Sequence, residues 1–595
     1  MKQQPMGATP DKDGVTFRVW APFAEKVYVT GTFNDWSKRH PLKQNGGGIW
    51  EGRARQAAPH DEYKYLIING DQEISRIDPY AKSVTSSVGN AVICADDFDW
   101  SDDGFVAPPL NDLVIYELHV GTFFDEPGGS PGNFDGVFER LPYLRELGVT
   151  AIQLMPPMEF PGGFSWGYNP SHIFAIESDY GGPTALKRLI KAAHNHGLAV
   201  IFDVVYNHFG PSDLDLWRFD GWSENDKGGI YFYNDWRAET PWGATRPDYG
   251  RPEVRQFILD NVQMWLNEYH VDGLRFDATA YIRNANGSNN DPGSDLPEGW
   301  ELLRQINEAV HNLPQPRYTI AEDLQRNEWI TKPTAEGGAG FDAQWAAEFV
   351  HPVRAALVVM DDQNRDLEAI AAAIRAGYNG DAFDRVIYTE SHDEVANGRA
   401  RLPEDIHPGE ADSWFAQKRS MLGAALVFTA PGIPMIFQGQ EFLTDEWFRD
   451  ETPINWDFAE THDGIVRFYQ DLIRLRRNRD GVTRGLTGQH VATYHINNAQ
   501  KVLAFQRWAE GGLGDTVVIL ANFANQFYKE YKIGLPQAGA WQIRLASDAN
   551  VYNANFGNGG GSVIETAEEN VDGQPYAATF TLPPYSLLIL SQDPA

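Results

Sequence analysis

Between residues 106 and 486 the chain alternates short apolar runs with amphipathic ones eight times over, and this rhythm restricts the fold more than any other feature. LVIYELHV, TAIQLMP, LAVIFDVV, GLRFDA, RYTIAED, AQWAAEF, RVIYTESH and GIPMIFQG read as buried strands. A helix-length run follows each of them, least clearly the fifth and sixth. In ALKRLIKAAHNHG, Leu186, Leu189, Ile190 and Ala193 recur at i, i+3, i+4 and i+7 while Lys187, Arg188 and Lys191 take the other face. Gly197 then supplies the stop. Strands that are apolar on both faces belong to parallel sheets covered by helices. Eight such units predict an α/β fold, a closed (β/α)8 TIM barrel with its active site at the C-terminal ends of the strands. A doubly wound open sheet is the alternative, and no glycine-rich phosphate loop after the first strand supports it.

Shorter, alternating strands flank this region. VTFRVWAP, KVYVTGTF and YKYLII, separated by turn residues, predict an N-terminal β-sandwich over residues 1–105. VATYHI, VLAFQRW, TVVILANF, WQIRLAS, ATFTL and YSLLILS predict a C-terminal β-sandwich over 487–595. The catalytic region is then 106–486, with an excursion at about 209–251, rich in Trp, Asp and Gly, read as a small lid or subdomain.

The chain has 595 residues, too many for one ordinary core. Its 49 Lys and Arg against 82 Asp and Glu give a net charge of −33, which repels nucleic acid and anionic membrane surfaces and leaves a neutral ligand as the expected partner. The 18 Trp suit flat ligands such as sugar rings. Cys94 is the single cysteine, so no intrachain disulfide and no cysteine metal cluster can form. With no apolar leader core and no run of about 18 apolar residues, a soluble, cytoplasmic protein is expected. No oligomeric state follows from the sequence.

Chemistry concentrates at the strand ends. In VDGLRFD, residues 271–277, period-2 alternation puts Arg275 and Asp277 on one face and Leu274 and Phe276 on the other. A carboxylate beside a guanidinium stays ionised, so Asp277 can act as a nucleophile. An isolated pair of this kind is more often a structural ion pair. The other strand ends shift that reading: DVVYNH spans 203–208, Glu322 and Asp323 close the fifth strand, and Glu390, Ser391, His392, Asp393 and Glu394 close the seventh. Singly these are helix caps or salt bridges. Together they give one barrel mouth several carboxylates and two histidines.

DVVYNH, GLRFDATAY, IAEDL and ESHDE, in this order, resemble the four motifs of the α-amylase superfamily, glycoside hydrolase family 13, over nearly the whole chain. The resemblance implies retaining attack on α-glucosidic bonds of an oligo- or polysaccharide. Asp277 would be the nucleophile, Glu322 the general acid/base and Asp393 the transition-state stabiliser. His208 and His392 would hydrogen-bond the same sugar, Tyr168 in SWGYNP would stack on it, Arg275 would keep Asp277 charged, and Asp203 would organise the site. Such chemistry needs a protonated acid on the leaving oxygen and an ionised carboxylate under the anomeric carbon, about 5 Å apart. Glu322 is therefore expected to have a raised pKa. Asn207 falls where many amylases have a calcium ligand. Its companion ligands are not identifiable, so no metal or other cofactor is assigned and calcium stays open.

Ala280 and Tyr281 occupy the positions of the Lys-His pair that in amylases helps bind leaving-group sugars. WAPFAEKVYVTGTFNDW, with Trp20, Phe33, Asn34 and Trp36, resembles the carbohydrate-binding module of glycogen-active enzymes. That module, ESHDE and the closing TLPPYSLLIL point to glucan branching enzymes, which cleave α-1,4 bonds and transfer the chain to form α-1,6 branches. YELHVGTF and DVVYNHFGP also resemble maltooligosyltrehalose trehalohydrolases, so that activity or another α-glucan hydrolase of amylase type is the alternative. A catalytically silent glucan-binding protein is the reading from another class, opposed by the retained Asp277, Glu322 and Asp393.

Overall fold

The computed structural model describes residues 5–95, 97–559 and 561–594. The eight apolar runs form eight short strands: β1 (Ile115–Leu118), β2 (Ala151–Leu154), β3 (Ala199–Val204), β4 (Gly273–Phe276), β5 (Tyr318–Ala321), β6 (Ala343–Trp345), β7 (Arg385–Ile387) and β8 (Ile433–Phe437). Hydrogen bonds link them in the order β2-β3-β4-β5-β6-β7-β8-β1, a closed barrel. Every residue of these strands is buried. Burial on both faces is what the near-continuous apolar runs encode.

Helices α1 (Phe134–Leu147), α2 (Gly182–Asn195), α3 (Pro252–Asn267) and α4 (Pro297–His311) follow β1 to β4. After β6 come α5 (Ala347–Val358) and α6 (Leu367–Arg375), after β7 α7 (Trp414–Thr429), and after β8 α8 (Asp463–Arg476). The stripe Leu186, Leu189, Ile190 and Ala193 is the buried face of α2, and Gly197 follows its end at φ +76°. Two expectations change. Between β5 and β6 there is no α-helix, only the 3-10 turn Thr334–Glu336, because QRNEWITKPTAEGGAG places Pro333, Gly337, Gly338 and Gly340 where a helix would need periodicity. AQWAAEF is strand only as far as Trp345 and turns helical at Ala347, where Ala347, Val350 and Val353 begin a buried helical face.

By its internal contacts the chain divides into two compact units. One comprises Met1–Val106, His119–Arg140 and Leu154–Phe341, the other Ala107–Leu118, Leu141–Gln153 and Asp342–Ala595.

In the first unit, Gly7–Asp11, Gly14–Trp20, Ile49–Ala54 and Lys43–Gln44 form one antiparallel sheet, and Lys26–Gly31, Glu62–Asn69 and Gln72–Arg76 form another, with Ala91–Val92 beside Glu62–Asn69. Alternate residues Val15, Phe17 and Val19 and their counterparts Val27, Val29, Tyr63, Tyr65 and Ile67 are buried. The excursion after β3 is irregular, so its backbone polar groups need partners outside regular structure. It finds several on this N-terminal module. Arg76 donates to the carbonyls of Trp217, Arg218 and Phe219 at 3.2, 3.1 and 3.1 Å. Asn69 donates to the Asp220 carbonyl, and the Phe23 amide to the Asp220 carboxylate, both at 2.9 Å. Phe23 and Trp222 stack with ring centroids 4.5 Å apart.

In the second unit the C-terminal region forms a six-stranded sheet and a three-stranded sheet. Side chains of both, including Val518, Leu520 and Leu588 from the larger and Ile533, Phe580 and Leu582 from the smaller, share one core. Three of its strands, Tyr528–Leu535, Val563–Glu565 and Ala567–Val571, were not expected from the sequence. They are short or carry charges along exposed positions, so the apolar signal is weak. Among the described residues no helix is long and apolar enough to cross a membrane.

The N-terminal ends of β3, β4 and β5 are held by a chain of charges in the first unit. His194, at the end of α2, lies 2.8 Å from Asp103 through Nδ1 and 2.9 Å from Asp272 through Nε2. Asp103 also meets His270 at 2.7 Å, and Asp272 accepts from Arg317 at 3.0 Å and from the Val200 amide at 2.9 Å. Burial pulls the His194 pKa down, but the Asp272 and Asp103 carboxylates outweigh it and leave the net shift above 6.5. A raised folded-state pKa contributes stability that is complete below pH 6.5 and is lost as pH rises through the folded value. The melting-temperature gap between the native protein and His194→Gln is therefore expected to be widest in acid and to shrink toward alkaline pH. A gap that widens with pH would contradict this assignment.

Candidate active site

Strand register builds the site. Asp203 of β3 stands opposite Arg275 of β4, and Phe276 opposite Ala321 of β5. The next residues, Asp277 and Glu322, leave adjacent strand ends together, their amides bonded to Val204 and Phe276 carbonyls at 3.0 Å each. Arg275 is fully buried. Its Nη1 donates to both oxygens of Asp203 at 2.8 and 2.7 Å and to Asp277 Oδ1 at 3.2 Å, and its Nη2 lies 2.9 Å from Glu322 Oε2. Burial alone would push the Arg275 pKa down. The Asp203 and Glu322 carboxylates reverse that and hold it well above the usual guanidinium value. Arg275 and Asp277 share a face as the alternation predicts, while Phe276 packs against Tyr206 and Phe341.

The second oxygen of Asp277 accepts from Asn207 Nδ2 at 2.7 Å. Asn207 Oδ1 in turn lies 2.6 Å from His208 Nδ1. Asn207 thus bridges Asp277 and His208, and among the described residues no group of three or more His, Cys, Asp or Glu is placed to hold a metal ion. Burial lowers the His208 pKa to about 4 against the opposing effect of a Tyr168 backbone hydrogen bond, so the ring is neutral at pH 7. The Tyr168 hydroxyl donates to Asp203 Oδ2, and Arg275 lies over its ring at 5.8 Å. Gly167 precedes it at φ +91°, and a Cβ there would meet the Pro156 carbonyl at 2.2 Å, so only glycine makes the turn that presents Tyr168.

Ala278 occupies the left-handed region at φ +39°, ψ +52°. This conformation is costly for a residue with a Cβ and recurs where a site needs a particular backbone direction. Here it aims the Ala278 amide at Glu322 Oε2, 2.8 Å away. The adjacent acid, Asp323, is held in a two-pronged pair by Arg283 at 2.7 and 2.8 Å, so it serves the framework.

In the second unit, ESHDE follows β7. Glu390 pairs with Arg401 at 2.9 Å and Glu394 with Arg399 at 3.0 Å. Asp393 is different: its side chain is 48% exposed and lies 3.5 Å from His392 Nε2. His392 is buried and lies 2.7 Å from Glu117 Oε1 through Nδ1, while its amide donates to Glu117 Oε2 at 3.1 Å. Gln153 also reaches Glu117 Oε1, at 3.4 Å. Glu117 was missed in the sequence. Its signal was one acid inside the otherwise apolar LVIYELHV. Trp242, stacked on His208 at 4.7 Å, was visible only as one of many Trp in the excursion.

The alpha amylase catalytic domain matches residues 93–237 and 215–485. The chain belongs to the α-amylase family. Carbohydrate-binding module 48 (isoamylase N-terminal domain) matches residues 5–81 of this family member, and the alpha amylase C-terminal all-beta domain matches 494–593. Similar curated relatives include a 1,4-alpha-glucan branching enzyme of Salinibacter ruber, 32% identical over 98% of the chain and 96% of the relative. One of Aquifex aeolicus is 31% identical over 97% and 93%. An Anoxybacillus pullulanase crystallised with maltotetraose matches with a TM-score of 0.75 at 23% identity, over 99% of the chain and 87% of that structure.

Within this amylase-family chain, Glu117 accepts two bonds from His392 in a setting without water access. Glu117→Gln turns one acceptor into an amide donor and leaves a buried donor unsatisfied, a cost of about 1–3 kcal/mol. Urea unfolding is expected to register that loss. An unchanged midpoint would contradict the assigned contact.

Proposed function

We infer that the chain is a 1,4-α-glucan branching enzyme working through a covalent glycosyl intermediate. One observation carries the chemistry: a single buried guanidinium, Arg275, contacts both Asp277 and Glu322. Two carboxyls within reach of one side chain fit the spacing of about 5 Å used for retention better than the wider gap that admits a water molecule. The branching enzymes similar over nearly the full length favour transfer over hydrolysis.

In this reading Asp277 attacks the anomeric carbon as Glu322 gives its proton to the departing glycosidic oxygen, and the C–O bond breaks. Both Asp277 oxygens accept hydrogen bonds, from Arg275 and Asn207, which favours the charged nucleophile. Glu322 lies 2.9 Å from Arg275 Nη2 and accepts from the Ala278 amide at 2.8 Å, contacts that fix where its carboxyl stands. A 6-hydroxyl of a second glucan chain then attacks the intermediate, returns its proton to Glu322 and frees Asp277. Asp203 fixes Arg275. In the first unit Tyr168 and His208 hold the reacting sugar, and His392 and Asp393 of the second keep the sugar-binding roles that the family resemblance implies. The carbohydrate-binding-module match supports a glucan as substrate. We take residues 1–105, 106–486 and 487–595 as module, catalytic barrel and C-terminal domain, and the cytoplasm as the compartment.

Incubation with amylose is expected to produce α-1,6 branch points without a matching rise in reducing ends. Reducing ends alone would replace transfer by hydrolysis. Asp277→Asn and Glu322→Gln are each expected to lower turnover of amylose by several orders of magnitude. The two roles separate on α-maltosyl fluoride, whose leaving group needs no proton: Asp277→Asn loses its activity there too, and Glu322→Gln loses far less than on amylose. Equal losses for Glu322→Gln on both substrates would remove it from the acid role.

A further inference from the structure

Trp242 stands at the tip of a two-residue turn. Thr240 and Gly243 exchange main-chain hydrogen bonds of 2.9 and 3.2 Å, and Gly243 takes φ +137°. Such tips are ordinarily small or polar. This one presents a tryptophan that is 41% exposed. One of its faces lies on the His208 ring at 4.7 Å and 15°, and Tyr281 meets it at 5.1 Å and 75°. The two aromatics come from different segments, and buried Arg246 joins them. It donates to the carbonyls of Arg237 and Glu239, which lead into the turn, and to those of Tyr281 and Ala285.

The pair is tied to both reacting carboxyls. On one side His208 lies against Asn207, which donates to Asp277. On the other, Tyr281 belongs to the short helix Thr279–Arg283, whose first residue bonds the Glu322 carbonyl through both its amide and its hydroxyl. Glu322 exchanges a proton first with the leaving oxygen and then with the acceptor hydroxyl. The sugars carrying those oxygens therefore lie on the Glu322 side of the broken bond, where this helix stands. A glucosyl ring is neutral and shows an apolar C–H face, which an aromatic surface held rigid in advance binds at little entropic cost.

We propose that Trp242, backed by His208 and joined to Tyr281, is the platform on which the sugar beyond the scissile oxygen stacks, serving the leaving chain and then the acceptor chain. The proposal rests on the branching-enzyme reading and adds to it the residue that binds the acceptor.

The test compares native protein, Trp242→Ala and Trp242→Phe on amylose and on α-maltosyl fluoride, which has no sugar beyond the bond that breaks. Trp242→Ala is expected to lose about tenfold more in kcat/KM on amylose than on the fluoride, and Trp242→Phe to recover most of that difference. The ratio of branch points to reducing ends falls in parallel. Equal losses on the two substrates, no loss on amylose, or a Phe variant no better than Ala would each overturn the platform. If the native protein hydrolyses amylose without branching, the parent reading fails while the two-substrate comparison still decides the platform. A native protein inert on both substrates would overturn both.

Discussion

A guanidinium buried among three carboxylates is the constraint on which the site depends. Placing Arg275 out of water costs several kcal/mol, and only well-aimed partners offset it. Asp203, Asp277 and Glu322 supply them from three neighbouring strands. Because side chains alternate along a strand, a one-residue slip of β4 would turn Arg275 and Asp277 away together and leave Asp203 and Glu322 without their counter-charge. Removing one partner from a buried pair costs about 3–5 kcal/mol. The cluster therefore penalises wrong register in the barrel while holding the charge state that the chemistry requires. Fold and reaction draw on one interaction.

The strained Ala278 extends the same logic. Its left-handed backbone is unfavourable for alanine, yet it directs one amide at Glu322 and starts the short helix that bonds the Glu322 carbonyl. Arg275 and Ala278 thus hold the Glu322 carboxyl from two directions.

What could be read in the sequence follows from the range of the interaction. Barrel strands announce themselves because burial on both faces leaves mostly apolar residues, and the Arg275 and Asp277 pairing is a two-residue relation within one strand. The missing helix after β5 was signalled by Pro333 and three glycines, and the sequence already marked that unit as weak. AQWAAEF misled because Ala and Phe suit strand and helix alike. Tyr528–Leu535 was hidden by its exposed Lys and Glu, which blur the alternation of a sheet with one wet face. Glu117 was out of reach for another reason: its partner His392 is 275 residues away, and no local pattern records that meeting.

The N-terminal module gains a structural meaning from the excursion after β3. Arg76, Asn69 and Phe23 of the module hold residues 217–222, and the same excursion later carries Trp242 against His208. An irregular segment of this length cannot satisfy its own backbone through helix or sheet ladders, so it stays ordered only where other elements supply donors and acceptors. Here the module grips its first part, and Arg246 locks its second part to the loop after β4. The module therefore stands at one end of a continuous line of contacts whose other end is the Asn207 amide on Asp277. Its position contributes to the shape of the site at the strand ends, which is reason enough for such a module and such a barrel to occupy one chain.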